Sequence, residues 1–404
     1  MTASGSRRVY FDHSATTRVL PEVAEAMTPF FLDKFGNASS LHSFGRDARG
    51  AMEQARKSVA ALINAEPREI VFTSGGTEAD NMAVKGIAMY KGRLKGHIIT
   101  SKIEHHAVLE PCIFLKRYGF ELTEVPVSTE GLVDPADVER AVRDDTVLIS
   151  IMMANNEIGT VQPYKEIAKV AKAHGVPFHT DAVQAIGKMP IDVKADGIDM
   201  LSMSAHKFHG PKGVGALYVR KGTEIEPIIH GGGHERGMRS STENVPGIVG
   251  FGKAAEIAKR DMGPVIQKVM RLRDRLIEEI PRLIPRAHLN GHPTKRLVNN
   301  ANFRFEYIEG EALILQLDML GIAASTGSAC STSSLEPSHV LLAIGLPHEH
   351  AHGSLRLTLG RENTEEDVDY FLAHLPGVVS KLREISPFNS ETPMPAGGGG
   401  SCSV

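Results

Sequence analysis

Short apolar runs of five to nine residues recur over the first 220 positions, and segments of helical periodicity separate most of them. The helical segments include "LPEVAEAMTPFFLDKF", where Pro21 suits a first turn, "RDARGAMEQARKSVAALINA" and "PYKEIAKVAKAHG". The apolar runs are "EIVFTS", "HIITS", "ELTEVPV", "TVLISIMMA", "VPFHTD", "IDMLSMSA" and "GVGALYVR". This alternation predicts an α/β fold in which helices cover both faces of a mainly parallel, seven-stranded sheet.

The pattern changes after about residue 250, where a long charged helix is expected to run to about residue 284. Strand-like "NNANFRFEYI" and "GSLRLTLG" and helix-like "EALILQLDML" follow, and a final helix opens with Thr364 as N-cap and Asp367 three residues later. We therefore expect a large domain over residues 16–262 and a smaller α+β domain formed by residues 1–15 and 263–386. The Pro/Gly/Ser-rich residues 387–404 are expected to form a flexible tail.

The charge balance excludes two classes of partner. The 404-residue chain carries 45 basic and 48 acidic residues, which predicts neither a nucleic-acid-binding protein nor one held at a membrane by basic charge. No apolar run approaches the roughly 20 residues of a membrane span. The N-terminal "MTASGSRRVYFD" lacks the apolar core of a signal peptide, so a cytoplasmic protein is expected.

The three cysteines are too few and too widely spaced for a disulfide framework or a C-x-x-C zinc site. Cys112 lies in the apolar "AVLEPCIFL" and is expected to be a packed core thiol, and Cys402 lies in the tail. Cys330 lies in "STGSACSTSSLEPSHV", whose small hydroxyl and glycine residues are typical of a loop. From this segment alone, Cys330 is an inert small residue, a ligand, half of a disulfide or a nucleophile on a mobile arm.

The segment "EIVFTSGGTEADN" has the order strand, glycine turn, helix. Gly75, Gly76 and Thr77 would present backbone N–H groups at the N-terminus of the helix, beyond the carboxyl end of a strand. Such an arrangement binds phosphate, although a tight structural turn explains the same residues equally well.

Two further strand ends carry charged residues. Asp181 ends the buried strand of "VPFHTDAVQ", where a carboxylate needs a cation or strong donor, unless it is only a cap or turn residue. Ser204, His206 and Lys207 end the strand of "MLSMSAHKFHGPKGVG"; a surface lysine is the alternative to a Schiff-base amine. A phosphate cradle, a carboxylate and a lysine at one sheet edge are what a pyridoxal phosphate site requires.

A fourth strand end, "SKIEHHAVLEPC", places His105 or His106 where a ring could stack over a cofactor. A metal site built from His105, His179, Asp181 and His206 is the rival interpretation. These histidines lack a compact spacing motif, so no metal site is predicted.

Arg356 lies inside the apolar strand segment "GSLRLTLG" of the second half. A guanidinium there needs an anionic partner, and a planar carboxylate fits its two-pronged geometry. A substrate carboxylate and an internal salt bridge both satisfy this requirement.

Taken together, these segments resemble cysteine desulfurases of the NifS/IscS type, within the class V pyridoxal phosphate enzymes. The resemblance extends over roughly residues 9–388. Its most specific segments are "DHSATT", "GNASSLHSFG", "TSGGTEADN", "MMANNEIGT", "FHTDAVQAIGK", "SAHKFHGPKGVGALYVR", "GGGHERGMRSSTEN" and "STGSACSTSSLEPSHV". The resemblance implies a fold-type I homodimer that acts on L-cysteine and passes sulfur to an acceptor, an iron–sulfur scaffold protein.

The resemblance also implies roles for single residues. Lys207 matches the lysine that binds the cofactor covalently, His105 the histidine stacked over its ring, and Cys330 the cysteine that carries a persulfide. Asn156 and Arg356 match residues near the substrate carboxylate. The other matches are cofactor contacts. Asp181 matches the partner of the pyridine nitrogen and Gln184 the donor to the ring oxygen. The phosphate contacts are Thr77, Ser204 and His206, with Thr242 serving the phosphate of the other subunit, and Gly76 and Asn156 are further cofactor-binding residues.

In the implied chemistry, Lys207 removes the substrate's Cα proton, His105 assists, and Cys330 attacks the substrate's sulfur as a thiolate. Small-for-small departures occur at Ser241 and Thr326. "STENV" and "FEYIEGEA" favour the nitrogen-fixation branch, and the tail does not match the end by which housekeeping members dock a scaffold. The alternatives are an aminotransferase or selenocysteine lyase of the same class, a catalytically weak scaffold that binds a phosphate ligand and a partner, and a metal hydrolase.

Overall fold

The computed structural model describes residues 7–327 and 337–387. Its strands are β1 (Val9–Tyr10), β2 (Ile70–Thr73), β3 (Gly96–Ser101), β4 (Phe120–Val125), β5 (Thr146–Ser150), β6 (Phe178–Asp181), β7 (Met200–Ser204), β8 (Gly215–Val219), β9 (Ala287–Asn290), β10 (Asn300–Phe305), β11 (Ile322–Ala323) and β12 (Ser354–Thr358). Its α-helices are α1 (Pro21–Met27), α2 (Pro29–Leu32), α3 (Ser43–Leu62), α4 (Gly76–Ala88), α5 (His106–Lys116), α6 (Pro135–Ala141), α7 (Tyr164–His174), α8 (Val245–Leu283), α9 (Gly310–Met319), α10 (His339–Ala343), α11 (His348–His352) and α12 (Glu365–Ile385).

The seven predicted apolar runs form one seven-stranded sheet in the order β2-β8-β7-β6-β5-β3-β4. The four pairs from β7 to β4 are parallel, so the predicted α/β fold with a mainly parallel sheet is confirmed. β8 is antiparallel to both of its neighbours. Two reversals cancel, so β2 points in the same direction as β7, and its carboxyl end lies at the same edge of the sheet.

Both faces of this sheet are covered, as the continuous apolar runs predicted. Successive strand residues point to opposite faces, and Ile98 and Met200 pack in one cluster with α4 and α5. Ile99 and Leu201, one residue further along each strand, pack in another cluster with α3, α7 and α8. All four side chains are at most 1% exposed, so each contributes about 1.5–3 kcal/mol by leaving water.

A separate apolar cluster lies under the second half of the chain. It combines Val9 and Phe11 with residues of α9, α12 and the C-terminal part of α8. Its strands form a three-stranded antiparallel sheet, β12-β10-β9, and a two-stranded parallel sheet, β1-β11. α8 runs through residues 262 and 263 without a break, so the predicted domain boundary there stays a prediction.

Local signals predicted some element ends and missed others. Asp367 accepts a hydrogen bond from the backbone N–H of Thr364 at 3.2 Å and completes the predicted capping box of α12. The early helix is split, because Pro29 cannot continue α1 and opens α2 instead. Neither β1 nor β11 was predicted, since two residues are too few to show a period. In the described part of the chain, no helix has the length and apolarity that crossing a membrane requires.

A buried ion pair fixes the loop that follows the sheet. Arg56 of α3 donates to both carboxylate oxygens of Glu235 at 2.8 Å, and the backbone N–H of Phe72 in β2 donates to the same carboxylate at 2.9 Å. Arg56 is 2% exposed and Glu235 is 7% exposed. Glu235 also has a positive φ of 46°, a conformation that this pairing helps to hold.

We predict that Arg56→Met lowers the free energy of unfolding by about 3–5 kcal/mol, because it leaves the Glu235 carboxylate buried without its cation. Urea unfolding measures the change. The matched control is Arg7→Met, which removes a 2.9 Å pair with Asp367 from a side chain that is 40% exposed, and should cost at most about 1 kcal/mol. Equal losses in the two variants would contradict the prediction.

Candidate active site

The carboxyl edge of the large sheet encloses a cavity of about 270 Å³. It lies where the loops after β2, β3, β5, β6 and β7 meet and where β12 approaches from the second half of the chain. The predicted site residues that line it are Gly76, Thr77, His105, Asn156, Asp181, Gln184, Ser204, His206, Lys207 and Arg356. Residues from six separate segments of the sequence therefore share one cavity.

One end of the cavity is the N-terminus of α4. Gly75 is the N-cap, and within the described residues no side chain caps this helix, so its first N–H groups remain available to an anion. A Cβ on Gly76 would lie 2.7 Å from Cγ2 of Val183, so a side chain there would displace the turn after β6. Burial and nearby lysines lower the pKa of His206 to about 4, which leaves it neutral near pH 7.

Lys207 ends the turn Ala205–Lys207 that follows β7, and its ammonium group reaches into the cavity. Its Nζ donates to the backbone oxygens of Ser14 at 2.6 Å and Ala15 at 2.9 Å. The Ser14 oxygen also accepts from Nε2 of Gln184 at 2.9 Å. The segment "DHSATT" therefore positions both the lysine and the glutamine through one carbonyl group.

Asp181 ends β6 and also lines the cavity. Burial raises the pKa of Asp181 to about 6, although the Val183 N–H at 2.8 Å and the charge of Lys207 favour the carboxylate. Burial and the charge of Asp181 raise the pKa of Asp80 well above its usual range. Burial also raises the pKa of Glu104 to about 8. Asp181 is therefore mainly ionised at neutral pH, whereas burial favours the protonated forms of Asp80 and Glu104.

His105 is the N-cap of α5, and its Nδ1 accepts from the Ala107 N–H at 3.1 Å. Burial and the charge of Lys207 lower the pKa of His105 to about 4. A neutral ring whose Nδ1 accepts carries its proton on Nε2. His106 does not line the cavity; it is exposed and lies 3.8 Å from Glu110.

Arg356 is 2% exposed and joins β12 to the cavity. Its guanidinium pairs with Asp12 at 2.9 Å and donates to the Asn156 backbone oxygen at 3.1 Å. Its Nε is buried and has no hydrogen-bond partner among the described residues. The internal salt bridge that the sequence suggested is therefore present. Arg356 and Asn156 also line the cavity, where an anion would accept from the guanidinium N–H groups that these contacts leave unused.

Two predicted residues do not share this cavity. Thr242 lines a different one of about 160 Å³, together with Ser74 and Asn244. Cys330 lies outside the described residues, as does Cys402 in the tail.

The rival metal site is not assembled. The ring nitrogens of His179 are 2.8 Å from Oγ of Ser150 and 3.0 Å from Oγ of Ser202, so the ring is held between two strands. Over residues 7–327 and 337–387, no group of three or more metal-ligating side chains comes together.

Sequence reasoning missed Ser14 and Asp80, which also line the cavity. Asp80 follows Gly76 by four residues and therefore lies on the same face of α4, a spacing that was available in the sequence. Ser14 acts through its backbone oxygen, and the identity of its side chain does not indicate that role.

The residues present fit pyridoxal phosphate. An uncapped helix N-terminus suits its phosphate, an ionised and buried Asp181 suits a protonated pyridine nitrogen, and Lys207 supplies an amine in the same cavity.

Comparison with known proteins gives the same result. The sequence model of the family "Aminotransferase class-V" matches residues 9–371. The "Cysteine desulfurase IscS" of Dictyoglomus turgidum is 56% identical over 385 residues, covering 95% of this chain and 98% of that protein. The protein of the same name from Methanosarcina thermophila is 59% identical over 383 residues, covering 95% of this chain and 94% of that one.

Solved structures agree with these relatives. A "NifS-like protein" superposes with a TM-score of 0.88 at 43% identity, covering 93% of this chain and all of that one. "SspA in complex with cysteine" superposes with a TM-score of 0.79 at 41% identity, covering 88% of this chain and all of that one. The chain belongs to the class V aminotransferase family of pyridoxal phosphate-dependent enzymes and, within it, to the cysteine desulfurases of the NifS/IscS type.

Proposed function

We propose that this protein converts L-cysteine to L-alanine and stores the released sulfur on Cys330 for transfer to an iron–sulfur scaffold protein. Cys330 attacks the sulfur of the substrate as a thiolate, so an S–S bond forms while the substrate's C–S bond breaks. The electron pair of the C–S bond stays on carbon, which takes up a proton. The products are alanine and a persulfide, and no outside oxidant is needed.

One observation carries this proposal: Lys207, Asp181, Arg356 and the N-terminus of α4 line one cavity of about 270 Å³. When bound there, pyridoxal phosphate withdraws electrons from the substrate's Cα. Thr77, Ser204 and the first turn of α4 would hold its phosphate, and Asp181 would hold its ring nitrogen protonated.

The residues around this position divide the remaining work. Lys207 accepts the Cα proton, since its Nζ lies in the cavity beside the backbone of Ser14. His105, neutral and protonated on Nε2, is placed to donate a proton. Arg356 and Asn156 line the cavity and orient the substrate through its carboxylate, which would accept from guanidinium N–H groups that Asp12 and the Asn156 oxygen leave unused.

Among the cysteines, Cys112 is unsuited to the nucleophile's role. It is 1% exposed, and burial raises the pKa of its thiol, so it stays protonated in the core cluster under α5. The assignment to Cys330 comes from the segment "STGSACSTSSLEPSHV" that this family shares. A cysteine that receives sulfur at a buried cofactor and then gives it to another protein suits a loop.

A homodimer is part of the proposal. Thr242 lies away from the cavity of its own chain, which supports its assignment to the partner's phosphate site. Several large apolar side chains between residues 31 and 44 are 50–84% exposed, which supports contact with a second copy; they are Phe31, Leu32, Phe35, Leu41 and Phe44. The nitrogen-fixation branch suggested by the sequence stays a prediction.

Replacing the cysteine of the loop tests the reaction. Cys330→Ala should bind the cofactor normally and lose at least about 100-fold in sulfide release from cysteine in the presence of a thiol reductant. Cys112→Ala is the matched control and should keep most of its activity. The wild type should form alanine without a keto acid, which an aminotransferase requires, and the same assay with selenocysteine separates a selenocysteine lyase. Normal turnover by Cys330→Ala would contradict the assignment.

Replacing the lysine tests the cofactor site. Lys207→Ala should lose cofactor trapping by borohydride, because the covalent link to the protein is gone, and should slow alanine formation by about 1000-fold or more. Peptide mapping after reduction of the wild type measures the attachment point. Trapped cofactor in the variant would place the amine on another lysine.

Mixed dimers test whether Thr242 serves the partner. Neither Lys207→Ala nor Thr242→Ala homodimers should be fully active. Co-expression with two different tags yields mixed dimers, in which one site would combine a native Lys207 with a native Thr242 from the other chain. We expect about half of the wild-type activity per mixed dimer. If Thr242 serves its own chain, both sites remain impaired and no recovery occurs.

A further inference from the structure

The side-chain amide of Gln184 is held at both ends by groups that the proposed reaction does not use. Its Oε1 accepts from Nζ of Lys188 at 3.1 Å, and its Nε2 donates to the Ser14 backbone oxygen at 2.9 Å. Gln184 is 6% exposed, so few water molecules compete for these contacts. The orientation of the amide is therefore decided by its protein neighbours.

The chemistry of the two neighbours allows one orientation only. A lysine amine donates hydrogen bonds, and a backbone carbonyl only accepts them. A flipped amide would place its NH₂ group against Lys188 and its oxygen against the oxygen of Ser14, and both contacts would be repulsive. Lys188 and Ser14 together direct Nε2 toward the side of Gln184 on which Lys207 lies.

Backbone packing brings Lys188 to this position. The turn after β6 passes close to the segment after Lys207, because Gly187 has a φ of 73° and a Cβ there would lie 2.9 Å from Cβ of Phe208. Lys188 lines a small cavity of about 60 Å³ behind Lys207 and does not line the large cavity. It reaches the large cavity through its hydrogen bond to Gln184, and its charge also acts on Lys207 and Arg356.

The contact does not depend on one charge state of Lys188. Burial, with the charges of Lys207 and Arg356, lowers the pKa of Lys188 to about 7. The other titratable groups of the small cavity are His13, whose pKa is lowered to about 3 by burial, His209, which lies 3.5 Å from Glu362, and Asp261, which pairs with Arg361. Either form of the amine carries N–H donors, so Oε1 keeps its partner on both sides of neutrality.

We propose that Lys188 is a positioning residue, which orients the Gln184 amide so that its N–H group meets the ring oxygen of pyridoxal phosphate. This inference rests on the proposed function, in which Gln184 binds the cofactor.

Cofactor binding and a double substitution test it. Apo forms of Gln184→Leu, Lys188→Met and the double variant are titrated with pyridoxal phosphate, and the dissociation constant and the visible spectrum of the loaded protein are measured. Gln184→Leu and Lys188→Met should each weaken binding about tenfold, which corresponds to about 1.4 kcal/mol. The double variant should be no weaker than Gln184→Leu, because without the amide Lys188 has nothing to orient. Lys188→Arg, which keeps a donor, should recover most of the affinity.

The control is Lys268→Met, which removes another half-buried lysine whose Nζ donates to a backbone oxygen, that of Arg361, at 2.8 Å. It should bind the cofactor as the wild type does. Should Lys188→Met fail to fold, Lys188→Gln, whose shorter side chain cannot span the same gap, carries the same expectation.

The outcomes separate the inference from the proposed function. Wild-type affinity in Gln184→Leu would overturn the cofactor role of Gln184 and the inference with it. Weak binding by Gln184→Leu with wild-type binding by Lys188→Met would overturn the inference alone. Effects that add in the double variant would also overturn it, since Lys188 would then act by another route.

Discussion

The common direction of five strands is the constraint on which this site depends. β3, β5, β6 and β7 run the same way, and β2 joins them because the antiparallel β8 lies between β2 and β7. The loops after these strands open at one edge, where Thr77, His105, Asn156, Asp181 and Lys207 meet. A reversed strand would carry its functional side chain to the opposite edge, about 17–20 Å away.

Crowding of charge at this edge follows from the same constraint. Three cationic side chains, Lys188, Lys207 and Arg356, approach one another closely enough to lower the pKa of Lys188. Asp181 and Asp12 compensate them, whereas Asp80 and Glu104 are pushed toward their neutral forms. Such an arrangement favours an anionic ligand that also has a protonated ring nitrogen. Its anionic group would pair with the cationic side chains, and its ring nitrogen would pair with Asp181.

Repeated apolar runs and polar residues at strand ends were predictable from the sequence. Contacts made by backbone oxygens were not. The sheet followed from seven apolar runs, and ten site residues followed from strand ends and the family resemblance. β1 and β11 escaped because each has only two residues, too few to show a period. The lysine-holding oxygens of Ser14 and Ala15 and the contact from Lys188 depend on close approaches between distant segments, which no local pattern contains.

The long helix α8 has a mechanical consequence. Its first part packs into the cluster beside Lys207, through Ile248 and Phe251, and its last part into the cluster beneath Arg356. Pro264 lies between the two parts and removes the hydrogen bond to the carbonyl group of residue 260. The 19 residues beyond it span about 28 Å. A bend of about two degrees at the proline would therefore move the far end of the helix by about 1 Å. Because α8 joins the cluster beside Lys207 to the cluster beneath Arg356, its rigidity limits how far these two side chains move relative to each other.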